Sequence, residues 1–220
     1  MNELNQLLLD FGVNKIQFNN NDFYVSKSNF YSYNLVDKWP KWDKRIVNIF
    51  GERFSGKSYL ANIFLNKSKA LLINDGVITN DVIKKVKIYE SVVIDNFHLL
   101  NIDENLIYSL FDLIDQDNKY LLIFSEKSIS NIKFKLKDVT SRVKNCIVSE
   151  IEKPDDELIF ALILKNFSDR QINLDKKLIE FIIKRIDRSY SKIHQFIYKI
   201  DELSLKKKKP INLKTIKEIL

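Results

Sequence analysis

The sequence predicts an α/β domain built on a parallel five-stranded sheet and followed by a smaller domain made only of helices. Five short apolar runs alternate with segments of helical periodicity up to residue 151, and only helical periodicity follows them. Alternation of this kind indicates a parallel sheet, because each crossover helix returns the chain to the edge from which the next strand starts. The 220 residues, 45% of them hydrophobic, suffice for one such core and a small accessory domain.

The predicted strands are short runs of apolar, often β-branched residues at positions 46–50, 70–73, 91–95, 120–124 and 146–151. The predicted helices of the sheet domain carry their apolar residues on one face and span 57–66, 81–87 and 104–117. Beyond the sheet, amphipathic helices are predicted at 155–166, 175–186, 191–205 and 213–220. Asp103 suits the cap of the third helix, and Pro154 with the two acids after it suits the first turn of the fourth.

This pattern divides the chain into three segments. Residues 1–22 are polar, rich in asparagine and largely aperiodic, which predicts a mobile arm. Residues 23–152 form the predicted α/β core, and residues 153–220 form a helical lid.

Composition and charge exclude some classes of protein. The longest uninterrupted apolar run, Leu158–Leu164, is far shorter than the roughly 20 residues of a membrane-spanning helix, and the first residues lack a signal-peptide pattern. The single cysteine, Cys146, cannot form an internal disulfide, which fits a cytoplasmic protein. The net charge of +7 comes mainly from scattered lysines, so it is weak support for nucleic-acid binding. We interpret the run Lys206–Lys209 as a solvated loop rather than a phosphate-binding patch.

A phosphate-binding loop is predicted at residues 51–58, Gly-Glu-Arg-Phe-Ser-Gly-Lys-Ser. Two of the chain's four glycines occupy the glycine positions of the pattern Gly-x-x-x-x-Gly-Lys-Ser, between an apolar strand and an amphipathic helix. In that context backbone N–H groups wrap phosphates, Lys57 reaches the β- and γ-phosphates, and Ser58 binds Mg²⁺. The predicted nucleotide-binding residues of this segment are Gly51, Ser55, Gly56, Lys57, Ser58 and Tyr59. The alternative is a glycine-containing turn that precedes Lys-Ser by chance.

The run Val92-Val93-Ile94-Asp95 matches the second half of such a site, a strand that delivers an acid to the magnesium shell. An additional strand fits between the loop and Asp95, and residues 70–73 supply it. That arrangement is typical of AAA+ and RecA-like ATPases and weighs against a small-molecule kinase. Asn96 follows, where such ATPases usually carry an acid that orients the attacking water. Because an amide cannot accept a proton from water, slow intrinsic hydrolysis is expected, unless an acid elsewhere substitutes.

Two further positions are assigned by their place in an AAA+ fold. Ser125 ends the fourth strand, where a small polar residue called sensor 1 contacts the γ-phosphate or the attacking water. Arg142 precedes the fifth strand, where an arginine finger reaches the ATP of a neighbouring subunit. Its planar guanidinium suits bidentate contacts to phosphate oxygens. A surface ion pair is the alternative for Arg142.

Taken together, these residues resemble the DnaA-related Hda/HdaA family of AAA+ proteins, which inactivate the replication initiator DnaA. Besides the loop and Asp95-Asn96, the resemblance rests on the segments Asp22–Ser26 with Asn29, Lys38–Trp42, Ser141-Arg142 and Lys217–Leu220. It implies negative regulation of replication initiation, with ATP or ADP and Mg²⁺ as cofactors and Arg142 acting on the ATP bound to DnaA. The lid position that carries the sensor 2 arginine in DnaA aligns with Lys192, and a lysine cannot bridge phosphates bidentately.

The resemblance extends to the arm, where residues 6–11, Gln-Leu-Leu-Leu-Asp-Phe, fit the Gln-x-x-Leu-x-Phe pattern that binds the sliding clamp. A peptide of this kind places Leu9 and Phe11 in an apolar groove while the Gln6 amide makes orienting hydrogen bonds. The alternative is that this segment packs back on the core.

The expected partners are the DNA polymerase sliding clamp and DnaA. Contact with DNA is expected only through these partners, because the DNA-binding domain of DnaA is expected to be absent. A homodimer is left open. The alternative function is a helicase loader or another DNA-acting ATPase, which would need its own hydrolysis.

Overall fold

The computed structural model describes residues 23–74, 77–97, 103–169, 174–207, 211 and 213–219. Within them five strands form, which are β1 (Ile46–Gly51), β2 (Leu71–Ile73), β3 (Ser91–Ile94), β4 (Tyr120–Ser125) and β5 (Ile147–Ile151). The helices of the sheet domain are α1 (Phe30–Lys38), α2 (Lys57–Ser68), α3 (Asn80–Val86), α4 (Glu104–Gln116) and α5 (Lys137–Lys144). The helices after β5 are α6 (Asp156–Asp169), α7 (Lys176–Ile183), α8 (Tyr190–Lys207) and α9 (Leu213–Ile219). The predicted fold class, a parallel five-stranded sheet followed by helices, is confirmed.

The sequence pattern predicts neither α1 nor α5. Because α1 buries only two side chains, a serine and a valine, its sequence shows no apolar stripe. Contacts outside the helix hold it instead. The hydroxyl groups of Ser32 and Ser149 share a hydrogen bond of 2.7 Å, and Trp42 Nε1 donates to the carbonyl oxygen of Leu35 at 2.6 Å. The short helix α5 likewise buries only two valines.

The strand order in the sheet is β2-β3-β4-β1-β5, and every neighbouring pair is parallel. In space β4 therefore lies between β1 and β3, whereas β2, the additional strand expected from the sequence, forms the edge of the sheet. The reason is burial, because a strand in the middle of a parallel sheet is covered on both faces. Five of the six residues of β4 are buried, whereas Leu72 in the middle of β2 is 39% exposed.

Parallel pairing brings the ends of the strands together at one edge of the sheet, which we call the carboxyl edge. Phe50 in β1 is in register with Ser125 in β4. The backbone N–H of Asp95, directly after β3, donates to the carbonyl oxygen of Ile73 at 3.0 Å, which extends the ladder between β2 and β3. The loop after β1, the acid after β3 and the last residue of β4 therefore emerge at the same edge.

The helix α4 supplies much of the core of the sheet domain. Of the five residues of its predicted apolar stripe, Leu106 is partly buried and the other four are at most 1% exposed, namely Ile107, Leu110, Phe111 and Ile114. They belong to one core cluster with strand residues such as Val92 and Leu121. Burying a side chain of this size contributes roughly 1.5–3 kcal/mol. The predicted cap also forms, because the Asp103 side chain accepts a hydrogen bond from Asn105 N at 2.9 Å.

The chain forms two compact units. One comprises residues 29–152 and contains the sheet, and the other comprises residues 153–220 together with the segment that ends at Ser28. In the second unit the Asp155 carboxylate accepts a hydrogen bond from Leu158 N at 2.8 Å, which caps α6, and another from Ser28 N at 3.3 Å. The helix α6 contacts α7 and α8, and α8 contacts α9. Residues 23–28 thus lie with the helices, and the predicted domain bounds at 22 and 152 stay a prediction.

The thiol of Cys146 is 6% exposed, and burial raises its pKa to about 11. Since this value lies above the unfolded value of about 8.5, the neutral thiol stabilises the folded state fully below pH 8.5 and loses that contribution as the pH rises toward 11. We expect the free energy of unfolding to fall by roughly 3 kcal/mol more between pH 8 and pH 11 in the wild type than in Cys146→Ala. Denaturant titrations of both proteins across this range measure the difference, and parallel profiles would contradict the prediction.

Candidate nucleotide site at the carboxyl edge

The loop of residues 51–58 joins β1 to α2, and two glycines determine its path. Gly56, the N-cap of α2, has a φ of 92°, a left-handed conformation that side chains disfavour. A Cβ atom at Gly51 would lie 3.0 Å from both the Cβ atom and the carbonyl oxygen of Ile151, so any side chain there would push the loop and β5 apart by a few tenths of an ångström. Both glycine positions of the motif thus have a local physical cause.

Lys57 is buried in the loop although it carries a charge, and only 7% of it is exposed. Its Nζ donates to the carbonyl oxygens of Gly51 and Glu52, each at 2.8 Å. An ammonium group has three donors, so a further N–H remains for an anion. Burial lowers the pKa of Lys57, and the carboxylates of Glu126, Asp95 and Glu52 act in the opposite direction. The chain therefore holds a buried cation at the carboxyl edge, next to several acids.

Ser55 carries a buried hydroxyl in the same loop, and its Oγ has no hydrogen-bond partner among the described residues. A buried polar group without a partner costs on the order of 1–3 kcal/mol, so this hydroxyl fits a site that a polar ligand completes. Ser58 is exposed and Tyr59 is half-buried in the first turn of α2. The backbone N–H groups of a first helical turn favour an anion.

Asp95 leaves β3 at the carboxyl edge and is half-buried. Its Oδ1 accepts a hydrogen bond from the backbone N–H of Asn96 at 3.0 Å, and its carboxylate acts on the pKa of Lys57. The structure thus places the acid of the second motif within electrostatic reach of the lysine of the first. Their roles toward nucleotide and Mg²⁺ stay predictions.

The hydroxyl of Ser125 is used within the chain. Ser125 is 2% exposed, and its Oγ accepts a hydrogen bond from Asn48 Nδ2 at 2.9 Å and donates one to the carbonyl oxygen of Lys127 at 2.7 Å. The fully buried Asn48 also donates to Ile123 O at 3.1 Å and accepts from Ile129 N at 3.0 Å. Ser125 therefore helps to shape the turn after β4. Its predicted contact with the γ-phosphate would require its O–H to leave the Lys127 carbonyl oxygen, because phosphate oxygens accept hydrogen bonds.

The sequence motifs do not predict two residues that shape this site, Asn48 and Glu126. The signal for Asn48 is an amide inside an otherwise apolar strand, since a polar side chain buried in a sheet needs hydrogen-bond partners. The signal for Glu126 is an acid directly after a strand, as for Asp95. Glu126 is exposed, and its carboxylate raises the pKa of Lys57 more than that of Asp95 does. Glu126 is thus a candidate for the substitute acid that the sequence leaves open.

Arg142 lies on α5 and contacts α4 of the same chain. Its guanidinium donates to Asp112 Oδ1 at 2.8 Å and to the carboxylate of Asp115. The centre of the guanidinium lies 5.2 Å from the centroid of the Tyr108 ring. The ion-pair alternative for Arg142 therefore holds in this structure, and the assignment as an arginine finger stays a prediction.

The lid of this chain matches a protein family, and most of the chain is similar in sequence to a replication initiator. Residues 155–220 match the family described as Hda, lid domain. The chromosomal replication initiator protein DnaA of Borreliella burgdorferi is 22% identical over 204 residues, which cover 81% of this chain and 42% of that protein. The chain thus spans less than half the length of this relative.

Solved structures resemble the whole fold. Domain III of the replication initiation protein DnaA from Thermotoga maritima gives a TM-score of 0.70 at 18% identity and covers 90% of this chain and 93% of that chain. AMPPCP-bound DnaA from Aquifex aeolicus gives a TM-score of 0.66 at 19% identity, with 84% and 64% covered. The chain is therefore similar to DnaA over most of its length, and its lid is similar to that of the Hda family. The resemblance and the AAA+ fold predicted from the sequence are confirmed.

The backbone conformation at Asn96 restricts which residues fit at this position. Its φ of 55° lies in the left-handed region. Asn and Asp tolerate that region, whereas other residues with side chains lose roughly 1–2 kcal/mol there. The backbone therefore suits Asn or Asp at this position and disfavours Glu.

The remaining predicted residues belong to the helical unit or lie outside the described residues. Lys192 is exposed in the first turn of α8, where its backbone N–H donates to Ser189 Oγ at 3.4 Å. The predicted clamp-binding residues Gln6, Leu9 and Phe11 lie outside the described residues. Among the residues that are described, no group of three or more His, Cys, Asp and Glu side chains is arranged to hold a metal ion. None of the described helices has the length and apolar character of a membrane span.

Proposed function

We propose that this chain binds ATP or ADP with Mg²⁺ in the loop of residues 51–58. The observation that carries the proposal is Lys57, a buried ammonium group bonded to two loop carbonyls and with a further N–H to donate. The nearby carboxylates act on this ammonium group without a direct ion pair, and a phosphate chain at the N-terminus of α2 is an anion that can accept its further N–H. DnaA from Aquifex aeolicus, which has the same fold, is known in a structure with AMPPCP bound, and this supports the same use of the fold here.

The side chains near Lys57 fit a nucleotide with magnesium. Ser55 offers a buried hydroxyl that has no partner among the described residues. Ser58 and Asp95 are oxygen ligands of the kind Mg²⁺ prefers, and Mg²⁺ takes its other ligands from water and phosphate oxygens. When bound, the magnesium nucleotide supplies the phosphate chain that these groups orient. We extend the proposal to Lys192 in the lid, which would contact phosphate as a point charge.

We further propose that the chain regulates replication initiation instead of acting as a motor. Asn96 cannot accept a proton from water, so the chain's own hydrolysis is slow. Arg142 acts on the ATP bound to DnaA, where a guanidinium stabilises the charge of the transferring phosphoryl group. The DnaA relationship and the Hda-like lid support this role. Gln6, Leu9 and Phe11 bring the chain to clamp-loaded DNA by docking on the sliding clamp.

One observation favours the alternative of a helicase loader or another DNA-acting ATPase. The carboxylate of Glu126 lies close enough to Lys57 to raise its pKa, so an acid other than the missing one is at hand. If Glu126 activates water, the chain hydrolyses ATP by itself and needs no partner for turnover.

Replacing Lys57 tests the nucleotide site. We expect Lys57→Ala to lower the affinity for ATP and ADP by about tenfold to a hundredfold, because a charge-assisted hydrogen bond contributes about 1.5–3 kcal/mol. Isothermal titration calorimetry measures the affinity. Lys84→Ala, which removes a lysine from an exposed ion pair with Asp81, is the matched control and should bind as the wild type does. Undiminished affinity in Lys57→Ala would refute the assignment of the loop.

Replacing the acids tests the choice between regulator and motor. We expect slow basal turnover in the wild type, faster turnover in Asn96→Asp, and no change in Glu126→Gln. Aspartate is the informative replacement at position 96 because it tolerates the left-handed backbone there. Steady-state phosphate release measures the rates. Brisk turnover in the wild type that disappears in Glu126→Gln would favour the alternative.

Replacing Arg142 tests its action on DnaA. We expect Arg142→Ala to leave nucleotide binding intact and to reduce the stimulated hydrolysis of DnaA-bound ATP by about 10³-fold, the usual size of an arginine-finger effect. Release of labelled phosphate from DnaA on clamp-loaded DNA is the measurement. Arg188→Ala, which breaks an exposed ion pair with Asp156 in the lid, is the matched control. Full stimulation by Arg142→Ala would contradict the finger role.

Replacing the apolar residues of the arm tests docking on the clamp, and a pull-down with isolated clamp is the measurement. Leu9→Ala with Phe11→Ala should abolish binding to the isolated clamp and leave nucleotide affinity unchanged. Leu7→Ala with Leu8→Ala changes the positions that the pattern leaves free, and should retain clamp binding. Retained clamp binding by the first double variant would remove the docking half of the proposal and leave the role of Arg142 open to its own test.

A further inference from the structure

Three groups on one face of α4 hold the side chain of Arg142. One terminal nitrogen donates to Asp112 Oδ1 at 2.8 Å, the other donates to Asp115 Oδ2, and the Tyr108 ring lies 5.2 Å away. Burial by itself lowers the pKa of Arg142, but Asp115, Tyr108 and Asp112 together raise it. Both terminal nitrogens of the guanidinium are therefore engaged within the chain.

The same face of α4 fixes the start of the helix that carries Arg142. The Glu104 carboxylate accepts two hydrogen bonds of 2.8 Å from the backbone N–H groups just before α5. Glu104, Tyr108, Asp112 and Asp115 follow one another at spacings of four, four and three residues, which aligns them along one face of the helix. One carboxylate thus holds the backbone just before α5, and two hold the side chain of Arg142 in its last turn. Arg142 can leave its two carboxylates while Glu104 keeps α5 in place.

We infer that Asp112 and Asp115 form a latch on Arg142, which a triphosphate on the partner must displace before Arg142 can act. The inference rests on the proposed function, in which Arg142 acts on ATP bound to DnaA. A guanidinium binds carboxylate and phosphate oxygens with the same nitrogens, so the two compete. A terminal phosphate carries about the same charge as Asp112 and Asp115 together, so the γ-phosphate of ATP can replace both. A partner that holds ADP has no phosphate at the γ position, and there Arg142 stays on its carboxylates. The latch therefore makes Arg142 selective for a partner that holds a triphosphate.

The strength of the latch suits a contact that opens. The side chain of Arg142 is 24% exposed, and those of Asp112 and Asp115 are 31% and 49% exposed. Ion pairs so accessible to water are weak, and salt weakens them further. The two valines of α5, Val139 and Val143, are buried and keep the helix attached when the ion pairs break. A stronger anion can thus remove Arg142 from α4 without unfolding the domain.

The first measurement uses the protein alone and does not depend on the proposed function. Phenylglyoxal modifies arginine side chains, and mass spectrometry follows its rate at Arg142 relative to the exposed Arg53. We expect Asp115→Asn, and Asp112→Asn with Asp115→Asn, to react about fivefold faster at Arg142 than the wild type, because partly exposed ion pairs protect by factors of this order. Asp81→Asn, which removes a carboxylate from an exposed ion pair on α3, should leave the rate unchanged. Equal rates in the wild type and the latch variants would overturn the latch.

The second measurement follows the hydrolysis of DnaA-bound ATP on clamp-loaded DNA. We expect the latch variants to reach half-maximal stimulation at about one fifth of the wild-type concentration, with the same maximal rate. If the wild type stimulates, unchanged or weaker stimulation by these variants would overturn the latch. Weaker stimulation would indicate instead that the two carboxylates position Arg142 for its reaction. If the variants gain reactivity with phenylglyoxal but neither they nor the wild type stimulate, the latch stands and the proposed function fails. Thermal melts show whether each variant is folded. If the double variant is unfolded, the single variant Asp115→Asn decides whether the latch exists.

Discussion

The buried amide of Asn48 ties the strand that enters the phosphate-binding loop to the turn that follows β4. Its Nδ2 donates to Ile123 O and Ser125 Oγ, and its Oδ1 accepts from Ile129 N, so three hydrogen bonds cross from β1 to β4 and its exit. An amide buried without partners is costly, and these partners exist together in only one register of β1 against β4. The relative positions of the loop and of the acids after β3 and β4 depend on that register.

The charges at this edge support the proposal that the ligand is a nucleotide with magnesium. The carboxylates of Glu126, Asp95 and Glu52 all act on the buried ammonium of Lys57. A phosphate chain alone would add negative charge to a site where acids already outnumber this lysine. A divalent cation bound with the nucleotide would offset that repulsion, and Asp95 would be an oxygen ligand of the type that Mg²⁺ takes. The same arrangement places Glu126 where it affects the site, although no motif marks it.

Arg142 shows that two alternatives for one residue need not exclude each other. The ion pair within the chain and the proposed action on a partner's phosphate use the same guanidinium nitrogens, so under the proposal they would be two positions of one side chain. The acids that hold Arg142 on α4 are partly exposed, which makes the first position reversible. Tests of the trans-acting role therefore have to consider Asp112 and Asp115 as competitors of the phosphate.

The sequence by itself determined the features that reside in short segments. The loop of residues 51–58 is one, because glycines and its own N–H groups shape it, and the apolar stripe of α4 is another, because helical periodicity alone defines it. Only the tertiary structure decided that β4 and not β2 separates β1 from β3, that Ser125 is bonded to a residue 77 positions away, and that Arg142 pairs with an acid 30 positions away. These contacts form when the strands and helices pack, and a polar or charged side chain carries no local signal of the distant partner that it will meet.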